Sequence, residues 1–270
     1  MTNTARKPDP YIGVTGFMTR AEVHAAIVAY DEAWAEIGRE PSHRLMIGVL
    51  ASNKTLAGQP NKYPRRYPLI GEVWNVFASA SPRVLNLVHY ATGGVREGLT
   101  TDLSAALRRG GVGTCDGLQI NAAWPWPVDI EGFAHAFPHG RVVLQLGPSA
   151  LAQFQHRARE VAQRVQEYGS SITDVLIDVS GGRGIEIDPE NVRHIIDDLE
   201  AFTTCGIGVA GGLCAETLPA LAPLFRAHPN LSIDAEGRLR DDADGGGNLD
   251  LDKVRAYLRA AVALVAGGAS

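Results

Sequence analysis

The sequence predicts a single (β/α)₈ barrel. Three observations carry that expectation. Eight short apolar runs alternate with longer helical patterns without a break. Most of these runs are continuously apolar, as parallel strands covered on both faces are. The 270 residues match the usual size of such a barrel. A doubly wound open sheet competes, but it normally has fewer strands and a glycine fingerprint after the first.

The first strand is read in YIGVTG (11–16), followed by a helix from Thr19 to Ile37 with Thr19 and Glu22 as a capping box. RLMIGVLA (44–51) is the second strand, trailed by a long polar loop and a helix over 68–79. RVLNLVHY (83–90) precedes a helix over 101–109, and DGLQIN (116–121) precedes AAWPWP and a helix over 129–136. RVVLQLG (141–147) leads into a long helix from Ser149 to Tyr168. DVLIDVS (174–180) leads into a helix capped by Asp188 with Pro189 in its first turn. GIGVAGG (206–212) with a helix over 215–227, then LSIDA (231–235) with a helix over 250–265, close the chain. Residues 1–10 are polar and read as a disordered tail, leaving 11–270 as one domain.

Composition narrows the function classes. The net charge of −5 argues against a general nucleic-acid binder without excluding a local patch. No run approaches the roughly 18 apolar residues of a membrane span. Three cysteines (Cys115, Cys205, Cys214) suit a reduced, cytoplasmic chain and not a disulfide framework. No CxxC pair, HExxH, Walker loop or GxSxG elbow is present, so neither a metal nor a cofactor is expected. DDADGGGN (241–248) lacks the ligand alternation of a calcium loop. Monomer and homodimer both remain open.

Barrel active sites lie at the C-terminal strand ends. In chain order those ends carry Thr15, Lys54, His89, Asn121, Gln145, Asp178, Gly211 with Gly212, and Asp234 with Glu236. Asp178 is either a general acid/base or an aspartate capping its own turn. His89 is either an acid/base group or a structural histidine. The turns SGGRG and AGGL, with Gly182, Gly184, Gly211 and Gly212, offer backbone N–H groups to an anion, with Arg183 adding charge. Equally, they supply glycine where a short turn needs it. The loop 51–68 concentrates Lys54, Lys62, Arg65 and Arg66 among tyrosines, either as a clamp over the mouth or as a solvated loop. Trp124 and Trp126 line an aromatic pocket or pack between barrel and helix.

Several strand ends together resemble phosphoribosylanthranilate isomerase: VTGFMTRAEV (14–23), YPRRY (63–67), DGLQIN, LIDVSGGRGIEID, GVAGGLCAETL (208–218) and the closing DAEGRLRD segment. The resemblance implies a (β/α)₈ barrel and an aldose-to-ketose rearrangement of a ribose phosphate. It places the acid on Asp178, the substrate-carboxylate arginine on Arg65 and phosphate-binding backbone on Gly182, Gly184, Gly211 and Gly212. The family's catalytic cysteine is replaced by Thr15, which has no thiolate-like state near neutrality. Asp234 and Glu236 stand where the family has small serines, and carboxylates there would repel a phosphate. Asn121 stands where histidine is frequent.

The reading is therefore an isomerase-like enzyme for a small anionic sugar-phosphate or phosphoribosyl-type substrate, with altered chemistry. Asp178 is its acid/base, with Asp234 or His89 as the second proton-transfer group. Lys54, Arg65 and Arg183 hold the anion, and Thr15, Asn121 and Gln145 orient it. The competing readings are the authentic isomerase using another base, and an inactive barrel that binds a ligand, protein or nucleic acid through loop 51–68.

Overall fold

A computed structural model describes residues 7–94, 97–181, 186–242 and 246–268. The chain runs β1 (Tyr11–Thr15), α1 (Arg20–Ile37), β2 (Arg44–Ser52), α2 (Asn53–Leu56), α3 (Val73–Val76), β3 (Val84–Ala91), α4 (Leu99–Gly110), β4 (Gly117–Asn121) and α5 (Pro127–Ala136). It continues β5 (Arg141–Leu146), α6 (Pro148–Gln153), α7 (Ala158–Gln166), β6 (Asp174–Asp178), α8 (Pro189–Phe202), β7 (Gly206–Ala210), α9 (Ala222–Ala227), β8 (Ser232–Ala235) and α10 (Leu251–Gly268). The eight strands are parallel and in sequence order, and β8 pairs with β1 to close the barrel. The expected single (β/α)₈ barrel is the observed fold.

Alternation along each strand decides which residues enter the barrel. Ile12, Val14, Ile47, Val49, Ile120, Leu144, Ile177 and Ile233 face outward and form the main core with the helices. The inward set is layered. At the floor, Arg141 Nε and Nη2 each donate to Asp174 at 2.7 Å, both side chains being buried, and Arg141 also reaches the Asp9 carbonyl at 2.9 Å. Gly206 leaves the room for this pair, because a Cβ there would sit 2.2 Å from Asp174 Oδ1. Above it lies an apolar plug of Tyr11, Met46, Leu85, Leu87, Val143, Leu176 and Ala210. Above the plug the interior turns polar.

Residues 7–10, within the segment read as a disordered tail, lie against the floor: Asp9 meets Arg141 and Lys7 pairs with Glu200 at 3.7 Å. The α1 cap is as expected, with Thr19 and Glu22 capping each other's backbone. Three helices differ from expectation. The helix read over 68–79 is a single turn, α3, in a stretch punctuated by Pro68 and Gly71. The long helix read over 149–168 breaks into α6 and α7, because Gln155 and His156 take left-handed backbone (φ 51° and 57°). Phe154 then turns onto Trp124, ring centroids 5.3 Å apart and edge-on. The helix read over 215–227 starts as a 3₁₀ turn, Leu218–Leu221, before α9, each piece opening on its own proline. No helix among the described residues is long and apolar enough to cross a membrane.

The floor pair generates a prediction. Removing one partner of a buried ion pair strands the other's charge. Asp174→Ala should lower unfolding free energy by about 3–5 kcal/mol in a urea titration. A loss below about 1 kcal/mol would show that Arg141 is solvated and that the floor is not sealed by this pair.

Candidate functional site

The strand C-termini surround a cavity of about 480 Å³. His89, Asn121, Gln145, Asp178, Gly211, Gly212, Asp234 and Glu236 all line it, together with Tyr63, Arg66 and Tyr67 from the loop after β2. Most of the sequence-predicted mouth thus converges on one space.

Asp234 stands at its base, buried. Thr15 Oγ1 donates to both of its oxygens, at 2.9 and 3.1 Å, and Gln119 Nε2 donates to Oδ2 at 3.1 Å. Two glycines make this possible. A Cβ on Gly13 would lie 2.8 Å from Asp234 Oδ1, and one on Gly48 would lie 2.3 Å from Thr15 Oγ1. Burial pushes the Asp234 carboxyl up to about 7; the bonds from Gln119 and Thr15 oppose the rise, while Glu236 and Asp178 add to it. A group poised there both takes and gives a proton near neutrality. Thr15, where the resemblance puts a catalytic cysteine, therefore touches the site as a donor that orients Asp234.

Asp178 closes β6. Its Oδ1 accepts from Ser180 N, Ser180 Oγ and Gly181 N, each at 2.9 Å, and its Oδ2 accepts from Gln145 Nε2 at 2.7 Å. The turn-capping bonds are thus present, and the same carboxylate also lines the cavity. His89 is buried opposite Gln119 on β4, with its Nδ1 3.3 Å from Gln119 Nε2. Burial lowers its pKa, against the opposing pull of Glu236 and Asp178.

Glu236 is not an unpaired acid. Arg240 Nη2 donates to it at 2.9 Å, and Arg66 Nη2 forms a second, short ion pair with the same oxygen. Burial pushes the Glu236 carboxyl up, but the guanidinium groups of Arg66 and Arg240 outweigh it and hold it below the usual range. Arg240 is fully buried and donates to the Gly247 carbonyl at 2.7 Å. Gly16 (φ 102°) clears its path, since a Cβ there would come 2.0 Å from Arg240 Nη2. With Glu236 neutralised by two guanidinium groups and Asp234 titrating near neutrality, the repulsion expected of these carboxylates toward an anion is largely removed.

The basic loop is placed differently from its sequence reading. Pro64–Arg66 forms a 3₁₀ turn that sends Arg66, not Arg65, to the cavity. Arg65 and Lys54 are exposed and do not line it. Trp124 is packed, its Nε1 donating to the Ala150 carbonyl at 2.9 Å, whereas Trp126 is half-exposed outside the main cavity. Gly211 and Gly212 adopt φ of 132° and 57° at the end of β7, conformations that favour glycine. Gly182, Arg183 and Gly184 lie outside the described residues. Among the described residues no three His, Cys, Asp or Glu side chains gather as a metal site.

Sequence reading missed Gln119, Arg66's role and Arg240. Gln119 had a signal: it lies two residues before Asn121, on the same face of an otherwise apolar strand. Arg240 had none, because its burial depends on a return from the loop after β8.

Barrel and mouth together define a (β/α)₈ protein with a polar cavity at the C-terminal ends of its strands. Phosphoribosylanthranilate isomerase from Thermus thermophilus superposes with a TM-score of 0.61 at 12% identity, covering 94% of this chain and 99% of that one. A monomeric form of the Thermotoga maritima isomerase gives 0.58 at 13%, covering 93% and 98%. The carboxyl transferase domain of Rhizobium etli pyruvate carboxylase with pyruvate and biocytin gives 0.54 at 11%, covering 96% and 48%. No protein-family model and no curated protein sequence matches the chain.

Asp234 links pH to stability. Its folded pKa, about 7, lies above the unfolded value of about 3.9, so the folded state binds the extra proton between them. Its stabilising contribution is complete below about pH 4 and is lost as pH rises through about 7. Asp234→Asn removes that loss. Measured by urea denaturation, the stability of the variant minus that of the wild type should grow from about pH 4 to pH 8, by at most about 4 kcal/mol. A difference independent of pH would place the Asp234 carboxylate in water.

Proposed function

We propose that this protein is an enzyme that acts by general acid/base chemistry on a small anionic substrate of the sugar-phosphate class, bound in the barrel mouth. The observation that carries this reading is a buried carboxylate, Asp234, poised near pH 7 and opening onto a cavity of about 480 Å³. A carboxylate held there for packing alone would be destabilising without return, and such perturbed groups in clefts cluster at functional sites.

Aldose-to-ketose rearrangements need one group to protonate an oxygen and another to take a proton from the adjacent carbon. Asp234 in its ionised form takes the carbon-bound proton, filling the role that Thr15 lacks. Asp178 faces the same cavity and supplies the oxygen-directed proton transfer, the role the sequence resemblance gives it. Thr15 fixes the Asp234 oxygens, and Asn121 and Gln145 offer amide contacts to substrate hydroxyls. His89, with its pKa lowered by burial, presents a neutral imidazole. Arg66 meets the substrate anion, and the Gly211–Gly212 turn offers backbone at the end of β7, where barrels of this type commonly build phosphate sites. The fold shared with two proteins named as phosphoribosylanthranilate isomerases supports this substrate class over a neutral one.

The test is proton exchange. Wild-type protein is incubated in D₂O with a panel of aldose phosphates and their glycosylamines, and loss of the proton next to the anomeric carbon is followed by NMR. At least one compound should exchange, with a rate limb near pH 7. Asp234→Asn should slow it by ~10²-fold or more. Arg66→Gln should raise KM and leave kcat within about threefold, the mark of uniform binding. Full exchange by Asp234→Asn would remove Asp234 from the chemistry.

A further inference from the structure

Gln119 has no role in the chemistry above, yet its amide is the junction of the barrel interior. Its Nε2 lies 3.1 Å from Asp234 Oδ2, 3.2 Å from Gln145 Oε1 and 3.3 Å from His89 Nδ1, while its Oε1 is buried with no partner among the described residues. An amide nitrogen has only two hydrogens for these three neighbours. What decides their use is set on the other side of the barrel. Three donors converge on Asp178 Oδ1, so Oδ2 is the atom left to Gln145. That oxygen is an acceptor. Gln145 must turn its N–H to it and its own oxygen to Gln119. Gln119 must answer with an N–H, and the same nitrogen then presents an N–H to Asp234.

We propose that Gln119 and Gln145 are positioning residues that form a polarity relay, in which the group at the Asp178 Oδ2 position decides whether Asp234 is offered a donor or an acceptor. The relay reverses only as a whole, because turning one amide alone sets two N–H groups or two oxygens face to face. An N–H offered to Asp234 favours its carboxylate, and an oxygen favours its acid form. This deepens the reading of Asp234 as a proton-transfer group. Because it rests on ground-state geometry, its test needs no substrate, and turnover can fail while the relay stands.

The sign of one shift separates the relay from simple electrostatics. The groups acting on Asp234 are Thr15 and Tyr11 from β1, His89 through Gln119, Asp178 from β6, Tyr257 from α10 and Glu236 beyond β8, the last paired with Arg66 and Arg240. Through space, the Asp178 charge raises the Asp234 pKa, so removing it should lower that pKa. In Asp178→Asn the three donors still fix Oδ1, and an NH₂ replaces Oδ2. Both amides then reverse, Asp234 faces an oxygen, and its pKa rises.

The experiment is a ¹³C NMR titration of protein labelled at aspartate carboxyls, with the Asp234 signal assigned by its loss in Asp234→Asn. In Asp178→Asn the Asp234 midpoint should move up by about half a pH unit or more, and in the Gln119→Met background the same substitution should move it down. A downward move or no move in the single variant overturns the relay. Gln145→Leu, which leaves the β6 turn intact, provides the second arm. It frees Gln119 from donating, and should raise the Asp234 midpoint only when Gln119 is present. A rise of equal size with and without Gln119 is desolvation alone and likewise overturns the proposal.

Discussion

Asp234 is a carboxylate inside a protein; among the described residues no cation lies against it, and two neutral donors, Thr15 and Gln119, touch its oxygens. Burial of an acid in this way costs free energy whenever the acid is charged. The surroundings are arranged around that cost. Gly13 and Gly48 give up side chains so that the carboxylate and its threonine fit. The cations that would hold Asp234 ionised, Arg66 and Arg240, are taken instead by Glu236. Two carboxylates at the end of one strand are thereby driven in opposite directions, Glu236 below its usual range and Asp234 up to about 7. Separation of this kind lets one site keep a permanent charge and a mobile proton side by side.

The barrel itself was legible because its grammar is local: eight apolar runs, helices between them, and caps such as Thr19 with Glu22 and Asp188 with Pro189. Where helices were misread, the deciding contact was remote or the conformation unexpected. The break between α6 and α7 uses left-handed Gln155 and His156, positions where no glycine or proline marks a turn. The mouth was legible for the same reason as the barrel. Once the strands are in order, alternation alone sends His89, Asn121, Gln145, Asp178 and Asp234 to one end.

What alternation does not reveal is which polar group touches which. Arg65 and Arg66 are neighbours in sequence, and only the 3₁₀ turn at Pro64 decides that Arg66 points inward. Asp234 and Glu236 read as a pair of repelling acids because the cation that tames Glu236, Arg240, is concealed by a loop that folds back under Gly16. Thr15 read as a lost catalytic group. In three dimensions it is a hydrogen-bond donor to Asp234, the group proposed above as the base. Thr15 and Gln119 meet Asp234 across 219 and 115 residues, and spacing along the chain carries no record of those contacts.

The floor of the barrel has a bearing on this chemistry. Arg141 and Asp174 lock together beneath an apolar layer built around Met46, Leu87 and Leu176, and the backbone of Asp9 is drawn across the same end. Among the described residues the interior is thus closed at its floor and open at the mouth. Asp234 lines the cavity at the opposite, open end of the barrel, the end proposed to take the substrate. On the proposed reading, a substrate filling the cavity would cover the face through which Asp234 exchanges protons with solvent.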